Sequence, residues 1–137
     1  MVDFSGILFA TVELPSGVAI PEGYKQVTSL HITLLSSELP KAVRKELKGI
    51  WGMSSLPEFP SITFESKPFF ANNGKKESLV LNCNEQDEIR AWLVEVIAIL
   101  GLSVTVNPER VFHLSVANRT GSKFDSVPDP WNHRVES

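Results

Sequence analysis

Two short segments, 31–34 and 113–116, share one residue pattern, and this pattern constrains the fold more than any other feature. The first reads His-Ile-Thr-Leu and the second reads His-Leu-Ser-Val, so polar and apolar side chains alternate in both. Alternate side chains of a β-strand point to opposite faces of its sheet. Each segment is therefore predicted to lie within a strand, 29–35 or 111–116, that buries its aliphatic residues and presents a histidine and a hydroxyl on the other face.

The rest of the chain predicts further short strands and two helices. Apolar or alternating runs predict strands over residues 6–14, 61–65, 78–83 and 103–106, and a further strand that begins at 69–70 and turns at 72–74. Apolar residues at helical spacing predict one helix from Pro40 and a second between a cap at Asn84 and a stop at Gly101. This order of elements predicts an α+β fold with a mostly antiparallel sheet, and the length of the chain predicts one domain over residues 1–137.

Charge and composition exclude several classes of protein. The formal net charge of −3 argues against a basic protein that binds phosphates through its overall charge. Any nucleotide is therefore expected to bind in a local site. The single cysteine, Cys83, lies in an apolar run and is expected to be buried and inert, and no Cys–His spacing suggests a zinc site. No basic leader is apparent, and the longest apolar stretch, 91–100, is too short to span a bilayer. We therefore expect a cytoplasmic protein with no membrane partner.

The repeated pattern predicts acid–base chemistry if its two strands lie side by side. His31 and His113 would then face one substrate, with Thr33 and Ser115 beside them. A neutral imidazole accepts a proton from an attacking oxygen, and a protonated imidazole donates one to the leaving oxygen. Hydroxyl groups can donate hydrogen bonds to the non-bridging oxygens of a phosphate. Such a site requires no metal and no cofactor, and nothing in the sequence decides which histidine is the acid.

These motifs resemble those of the 2H phosphoesterase superfamily, which is named for two His-Φ-(Ser/Thr)-Φ motifs in which Φ is apolar. Residues 7–15 also resemble the first strand of its LigT-like 2′,3′-cyclic phosphodiesterases. The resemblance implies a bilobal, pseudo-symmetric fold with two mostly antiparallel sheets around a central cleft and two helices outside. It also implies a metal-independent phosphoesterase that hydrolyses RNA-like or cyclic nucleotide phosphodiesters.

The chain departs from typical LigT-like enzymes in two respects. It is shorter, with 137 residues, so loops that cap the substrate are expected to be reduced. The segment after the second motif, 117–125, is more similar to small viral and bacterial 2H proteins. Some phage members of the superfamily degrade cyclic oligonucleotide signals, so that class of substrate is included among the expectations.

Other residues near the two motifs are candidates for substrate binding. Arg119 and Lys123 follow the second motif closely and can supply positive charge to a phosphate. Tyr24, Phe124 and Trp131 can stack on a base. Solvated loop charges and ordinary packing are the competing interpretations of these residues.

Two other functions remain open at this point. The chain can be a nucleotide-binding module with a 2H-like pocket and little or no catalysis, or a structural protein in which the repeated pattern is a coincidence. The last alternative predicts that the two imidazoles lie far apart. The substrate also remains open among 2′,3′-cyclic RNA ends, cyclic oligonucleotides, 2′-5′ oligoadenylate and ADP-ribose cyclic phosphate. A monomer is expected over an obligate oligomer.

Overall fold

The computed structural model describes residues 2–135. It contains seven β-strands: β1 (Val2–Phe4), β2 (Leu8–Thr11), β3 (Lys25–Gln26), β4 (His31–Leu35), β5 (Phe69–Asn72), β6 (Glu77–Asn82) and β7 (His113–Asn118). The α-helices are α1 (Lys41–Ile50) and α2 (Gln86–Leu100), and two short 3-10 helices, Lys123–Asp125 and Pro130–Asn132, lie near the C-terminus. No helix in this range is long and apolar enough to cross a membrane.

The strands form one antiparallel sheet, which confirms the predicted α+β class. Their order is β1-β2-β4-β7-β6-β5, and β3 also pairs with β7. The family resemblance implied two sheets, whereas here the two motif strands pair with each other at Ile32 and Leu114. This pairing joins the first and second halves of the chain into a single sheet and places the repeated motifs at its centre.

The two α-helices cover the aliphatic face of the sheet. Leu47 of α1 and Ile89 and Leu93 of α2 are fully buried in the same core cluster as Ile32. Helix α2 ends at Gly101 in the left-handed conformation (φ 66°), as the sequence predicts. Its N-cap is Glu85 rather than the predicted Asn84, whose amide donates a hydrogen bond to the Thr63 hydroxyl instead.

Two predicted strands are absent from the described sheet. In residues 61–65, only Phe64 forms a β-bridge, to Cys83. The Glu85 carboxylate accepts a hydrogen bond from the Thr63 backbone and so holds this segment against the start of α2. Residues 103–106 are irregular, although Val104 and Val106 still pack on the core. Alternation therefore identified partly buried residues in both segments, although neither segment forms a full strand of the sheet.

The C-terminal residues 119–135, here called the C-terminal strap, lie on the face opposite the helices. They have little regular structure, but they are anchored to the sheet. The Val127 backbone N–H donates to the buried Ser78 hydroxyl. Farther on, the Val135 N–H donates to the Phe70 carbonyl of the edge strand β5. The strap therefore forms one wall of the surface on which the histidines lie.

Candidate active site

The pairing of β4 with β7 brings the two motifs together on one face of the sheet. Because Ile32 lies opposite Leu114 in an antiparallel register, His31 lies across from Ser115 and Thr33 across from His113. Ile32 and Leu114 are both fully buried on the helix side. The two histidines are diagonal neighbours, a relation that corresponds to about 7–8 Å between their backbones. This spacing accommodates one phosphate group with a hydrogen bond of about 3 Å on each side.

The neighbouring strands extend the histidine face in two parallel rows. In one row, Thr33 and His113 are flanked by Phe9 of β2 and Asn82 of β6. In the other row, His31 and Ser115 are flanked by Thr11 of β2 and Val80 of β6. Each imidazole thus has a hydroxyl-bearing residue beside it on the adjacent motif strand. The four predicted catalytic residues form one compact group.

Both imidazoles are held by the same backbone contact. Nδ1 of His31 lies 2.9 Å from the Ser29 carbonyl oxygen, and Nδ1 of His113 lies 2.9 Å from the Val111 carbonyl oxygen. A carbonyl oxygen can only accept a hydrogen bond, so Nδ1 carries the proton in both neutral rings. Nε2 is then the atom that exchanges protons in both residues. The two motifs therefore match in ring orientation as well as in sequence.

Ser29 has an unusual backbone conformation that supports this contact. Its φ is +57°, and among residues 2–135 it is the one non-glycine residue with a positive φ. A left-handed conformation costs a serine about 1–2 kcal/mol. The turn directs the Ser29 carbonyl toward the His31 ring, so the conformational cost is linked to the orientation of a candidate catalytic group.

The two histidines differ in their environment. His31 is half-buried, whereas His113 is 9% exposed. Burial lowers the pKa of His113 to about 4, and the charges of Arg110 and His31 lower it further, while the Val111 carbonyl acts in the opposite direction. His113 is therefore neutral at pH 7, with its Nε2 lone pair available. A phosphate anion bound beside it favours the protonated form and raises its basicity.

The depressed pKa of His113 predicts a specific dependence of stability on pH. Between pH 6.5 and pH 4 the unfolded chain binds a proton at this residue that the native protein does not. The free energy of unfolding should therefore fall by about 3 kcal/mol as the pH drops through this window. Urea denaturation at several pH values measures this slope.

The matched comparison uses two asparagine substitutions. Between pH 6.5 and pH 5, the free energy of unfolding of His113→Asn should depend less steeply on pH than that of the wild type, by the equivalent of about one bound proton. The variant His133→Asn removes a partly exposed imidazole of the strap and serves as the comparison. Equal slopes for wild type and His113→Asn would contradict the assignment.

A buried ion pair ties the ends of the two motif strands together. The Arg110 guanidinium, just before β7, donates two hydrogen bonds of 2.7 Å to the Glu38 carboxylate, which follows β4. The two side chains are only 7% and 5% exposed. Burial alone raises the pKa of Glu38, but Arg110 and the Ser36 N–H lower it to about 2. Sequence reasoning missed this pair, although both residues lie close to a motif histidine.

An aromatic ring packs against each histidine. The centroid of Phe9 lies 5.8 Å from that of His31 in an edge-on arrangement, and the centroid of Trp131 lies 5.6 Å from that of His113. Trp131 was predicted from the sequence as a substrate contact, and the structure brings it to the site on the strap. Phe9 was not predicted, although it occupies an alternating position of a strand that precedes the first motif.

The other predicted substrate-binding residues lie elsewhere. Tyr24 packs against the aliphatic cluster behind β7, and the Arg119 guanidinium lies 4.5 Å from the centre of its ring. Phe124 is 74% exposed, and the Lys123 ammonium lies 5.3 Å from its ring centre. Within residues 2–135, no ring contact or hydrogen bond joins these four residues to either histidine. Their role in substrate binding stays a prediction.

The remaining features of the described chain do not add a second chemical centre. A cavity of about 720 Å³ lies between residues 13–19 and 62–68 and does not include the histidines. Residues 2–135 contain no group of three His, Cys, Asp or Glu side chains arranged to hold a metal. Cys83 is buried, and burial raises the pKa of its thiol to about 12, so it is not a nucleophile at neutral pH.

Comparisons with models of known families, with curated proteins and with solved structures find no match to this chain. The functional interpretation therefore depends on the residues and geometry of the site.

Proposed function

We propose that this protein is a metal-independent phosphoesterase of the 2H type, which hydrolyses RNA-like or cyclic nucleotide phosphodiesters. The observation that carries the proposal is the matched pair of imidazoles. Their strands are paired, both rings donate from Nδ1 to the carbonyl two residues earlier, and both leave Nε2 for proton exchange. A coincidental repeat would not require equivalent orientations on adjacent strands. The bilobal, pseudo-symmetric arrangement of 2H proteins is part of this proposal.

The environments of the histidines suggest their roles. His113 is neutral at pH 7 because it is buried, so it is proposed as the base that accepts a proton from the attacking oxygen. His31 is more exposed and, in its protonated form, donates a proton from Nε2 to the departing ribose oxygen. Thr33 and Ser115 donate hydrogen bonds to the non-bridging phosphate oxygens, and Trp131 is placed to contact the substrate next to His113.

A substrate panel tests the proposal directly. Purified protein is incubated in EDTA with 2′,3′-cyclic nucleotides, cyclic di- and trinucleotides, 2′-5′ oligoadenylate and ADP-ribose cyclic phosphate. Hydrolysis of at least one substrate, unchanged by EDTA, is the expected result. Absence of turnover across the panel, or activity that EDTA removes, would contradict a metal-independent esterase.

Removal of either motif hydroxyl should slow this hydrolysis. The variants Thr33→Val and Ser115→Ala are each expected to lower kcat by about 10²-fold, because each removes one donor to the charge that develops on the phosphate. Steady-state kinetics measures the loss, and Thr105→Val, at an exposed position outside the histidine face, is the matched control. Unchanged kcat in both motif variants would remove the hydroxyls from the site.

One observation favours the second candidate, a nucleotide-binding module with little catalysis. His113 is only 9% exposed and is covered by Trp131, and an imidazole with a pKa of about 4 is a weak base until an anion binds. Saturable binding of a panel nucleotide without turnover would favour the module.

We further propose that the protein is a cytoplasmic monomer without a membrane partner.

A further inference from the structure

Two buried polar atoms without hydrogen-bond partners lie beside the same histidine. Among residues 2–135, the buried side-chain atoms that lack a partner are Asn82 Oδ1 and Trp131 Nε1. Asn82 is the direct cross-strand neighbour of His113, and the Trp131 ring packs on the His113 imidazole. Unpaired buried groups are uncommon in folded proteins. Asn82 Oδ1 is an acceptor and Trp131 Nε1 is a donor, and both residues neighbour His113. One small molecule bound there can pair with both atoms.

Packing alone gives no reason for these polar atoms. A leucine at position 82 has nearly the shape of asparagine and leaves no unpaired group, and a phenylalanine at position 131 keeps an aromatic ring against His113. Each unpaired group carries a desolvation penalty that such apolar replacements avoid. Asn82 and Trp131 are each partly exposed, so both side chains lie at the boundary of the protein interior.

We propose that Asn82 Oδ1, Trp131 Nε1 and His113 Nε2 together bind the water molecule that attacks the phosphate. This inference rests on the proposed phosphoesterase function. A water molecule has two protons and two lone pairs. It donates one proton to His113 Nε2 and one to Asn82 Oδ1, and accepts a hydrogen bond from the Trp131 indole. Its remaining lone pair is then free to attack phosphorus.

This arrangement distinguishes water from the alternative nucleophile, a ribose 2′-hydroxyl. A hydroxyl has a single proton, which must go to His113, and therefore leaves Asn82 Oδ1 unpaired. The site thus suits a substrate that water opens, such as a 2′,3′-cyclic phosphate. In this step the water oxygen bonds to phosphorus, its proton moves to His113 Nε2, the bond from phosphorus to the ribose oxygen breaks, and that oxygen takes the proton of His31 Nε2.

Two substrates separate the two nucleophiles. Uridine 2′,3′-cyclic phosphate is opened by water, whereas uridine 3′-(4-nitrophenyl phosphate) releases nitrophenolate when its own 2′-hydroxyl attacks. We expect Asn82→Leu and Trp131→Phe to lower kcat on the cyclic phosphate by about 10–100-fold, and Asn82→Leu to leave nitrophenolate release within about twofold of wild type. Asn84→Leu and Trp51→Phe, at positions outside the histidine face, are the matched controls.

Thermal unfolding provides a readout that does not depend on catalysis. Because leucine removes an unpaired buried oxygen, the Tm of Asn82→Leu should be unchanged or raised by a few degrees. Lower Tm together with equal losses on both substrates would show that Asn82 supports the fold or the His113 ring, and would overturn the water site. Wild-type kinetics in both variants would overturn it while leaving the phosphoesterase proposal intact. A wild-type protein that cleaves neither substrate in EDTA would defeat the phosphoesterase proposal for uridine esters, and the water site with it.

Discussion

The double variant His31→Ala/His113→Ala should lose at least about 10⁴-fold in kcat on any phosphodiester that the wild type hydrolyses, because it removes both the general acid and the general base. Each single variant should lose about 10²–10⁴-fold, and the two losses should not multiply, because the two groups act in one transition state. Initial rates in EDTA across the substrate panel measure both effects.

The appropriate control is the third histidine. His133 lies on the C-terminal strap, where it is partly exposed and its Nε2 lies 3.4 Å from the Asp129 carboxylate. His133→Ala should keep wild-type kinetics, since His133 belongs to neither motif and makes no described hydrogen bond to His31 or His113. Full activity of the double variant would end the two-histidine mechanism whatever the substrate.

The second large effect concerns stability. Replacing Glu38 by alanine should reduce the free energy of unfolding by about 3–5 kcal/mol, because it leaves the Arg110 guanidinium buried without its anion. Arg110 is only 7% exposed at its side chain, so solvent cannot replace the two hydrogen bonds it loses. Urea denaturation of the variant at pH 7 measures the change.

Two comparisons make this prediction specific. Glu77→Ala breaks the solvent-exposed ion pair with Arg119 and should cost much less stability, because solvent screens such pairs. Glu38→Leu/Arg110→Met removes both buried charges and should recover much of the lost stability. Acid should destabilise the protein as the Glu38→Ala substitution does. Because the folded pKa of Glu38 is about 2, its contribution to the free energy of unfolding is complete above its usual pKa and is lost as the pH falls toward 2. A loss in Glu38→Ala no larger than in Glu77→Ala would contradict a buried pair.

The features of the fold that follow from local patterns were predictable from the sequence. The alternation in 31–34 and 113–116 predicted two-faced strands, and their aliphatic residues are fully buried. Gly101 ends α2 because glycine, which has no side chain, adopts the left-handed conformation at little cost. The turn at 72–74 likewise joins β5 to β6 as a hairpin.

The features that depend on distant partners were not predictable. Residues 61–65 alternate like a strand, but the Glu85 carboxylate takes up the Thr63 N–H that a ladder would use. β1 and β3 are strands of three and two residues; β1 pairs with the outer edge of β2, and β3 pairs with the end of β7 that β4 leaves unpaired. A single periodicity cannot indicate which edge is available.

The candidate site shows the same division. The four motif residues were identified by their pattern, whereas Phe9, Asn82 and the Glu38–Arg110 pair reach the site through strand register and tertiary packing. Tyr24 and Arg119 are near the motifs in sequence, yet the Arg119 guanidinium packs on the Tyr24 ring. Tyr24 in turn packs against the aliphatic cluster on the face of the sheet opposite the histidines. Proximity in sequence is thus a weaker guide than position on a face of the sheet.

Both imidazoles are proposed to face one phosphate, and nuclear magnetic resonance of ¹⁵N-labelled histidines detects whether they do. The probes are inorganic phosphate and the four nucleoside 3′-monophosphates, with His31→Asn and His113→Asn used to assign the Nε2 signals. We predict that at least one probe shifts the Nε2 signals of His31 and His113 together, with one dissociation constant, while His133 does not follow. A response of only one motif histidine, or of neither at saturating concentrations of every probe, would contradict the account.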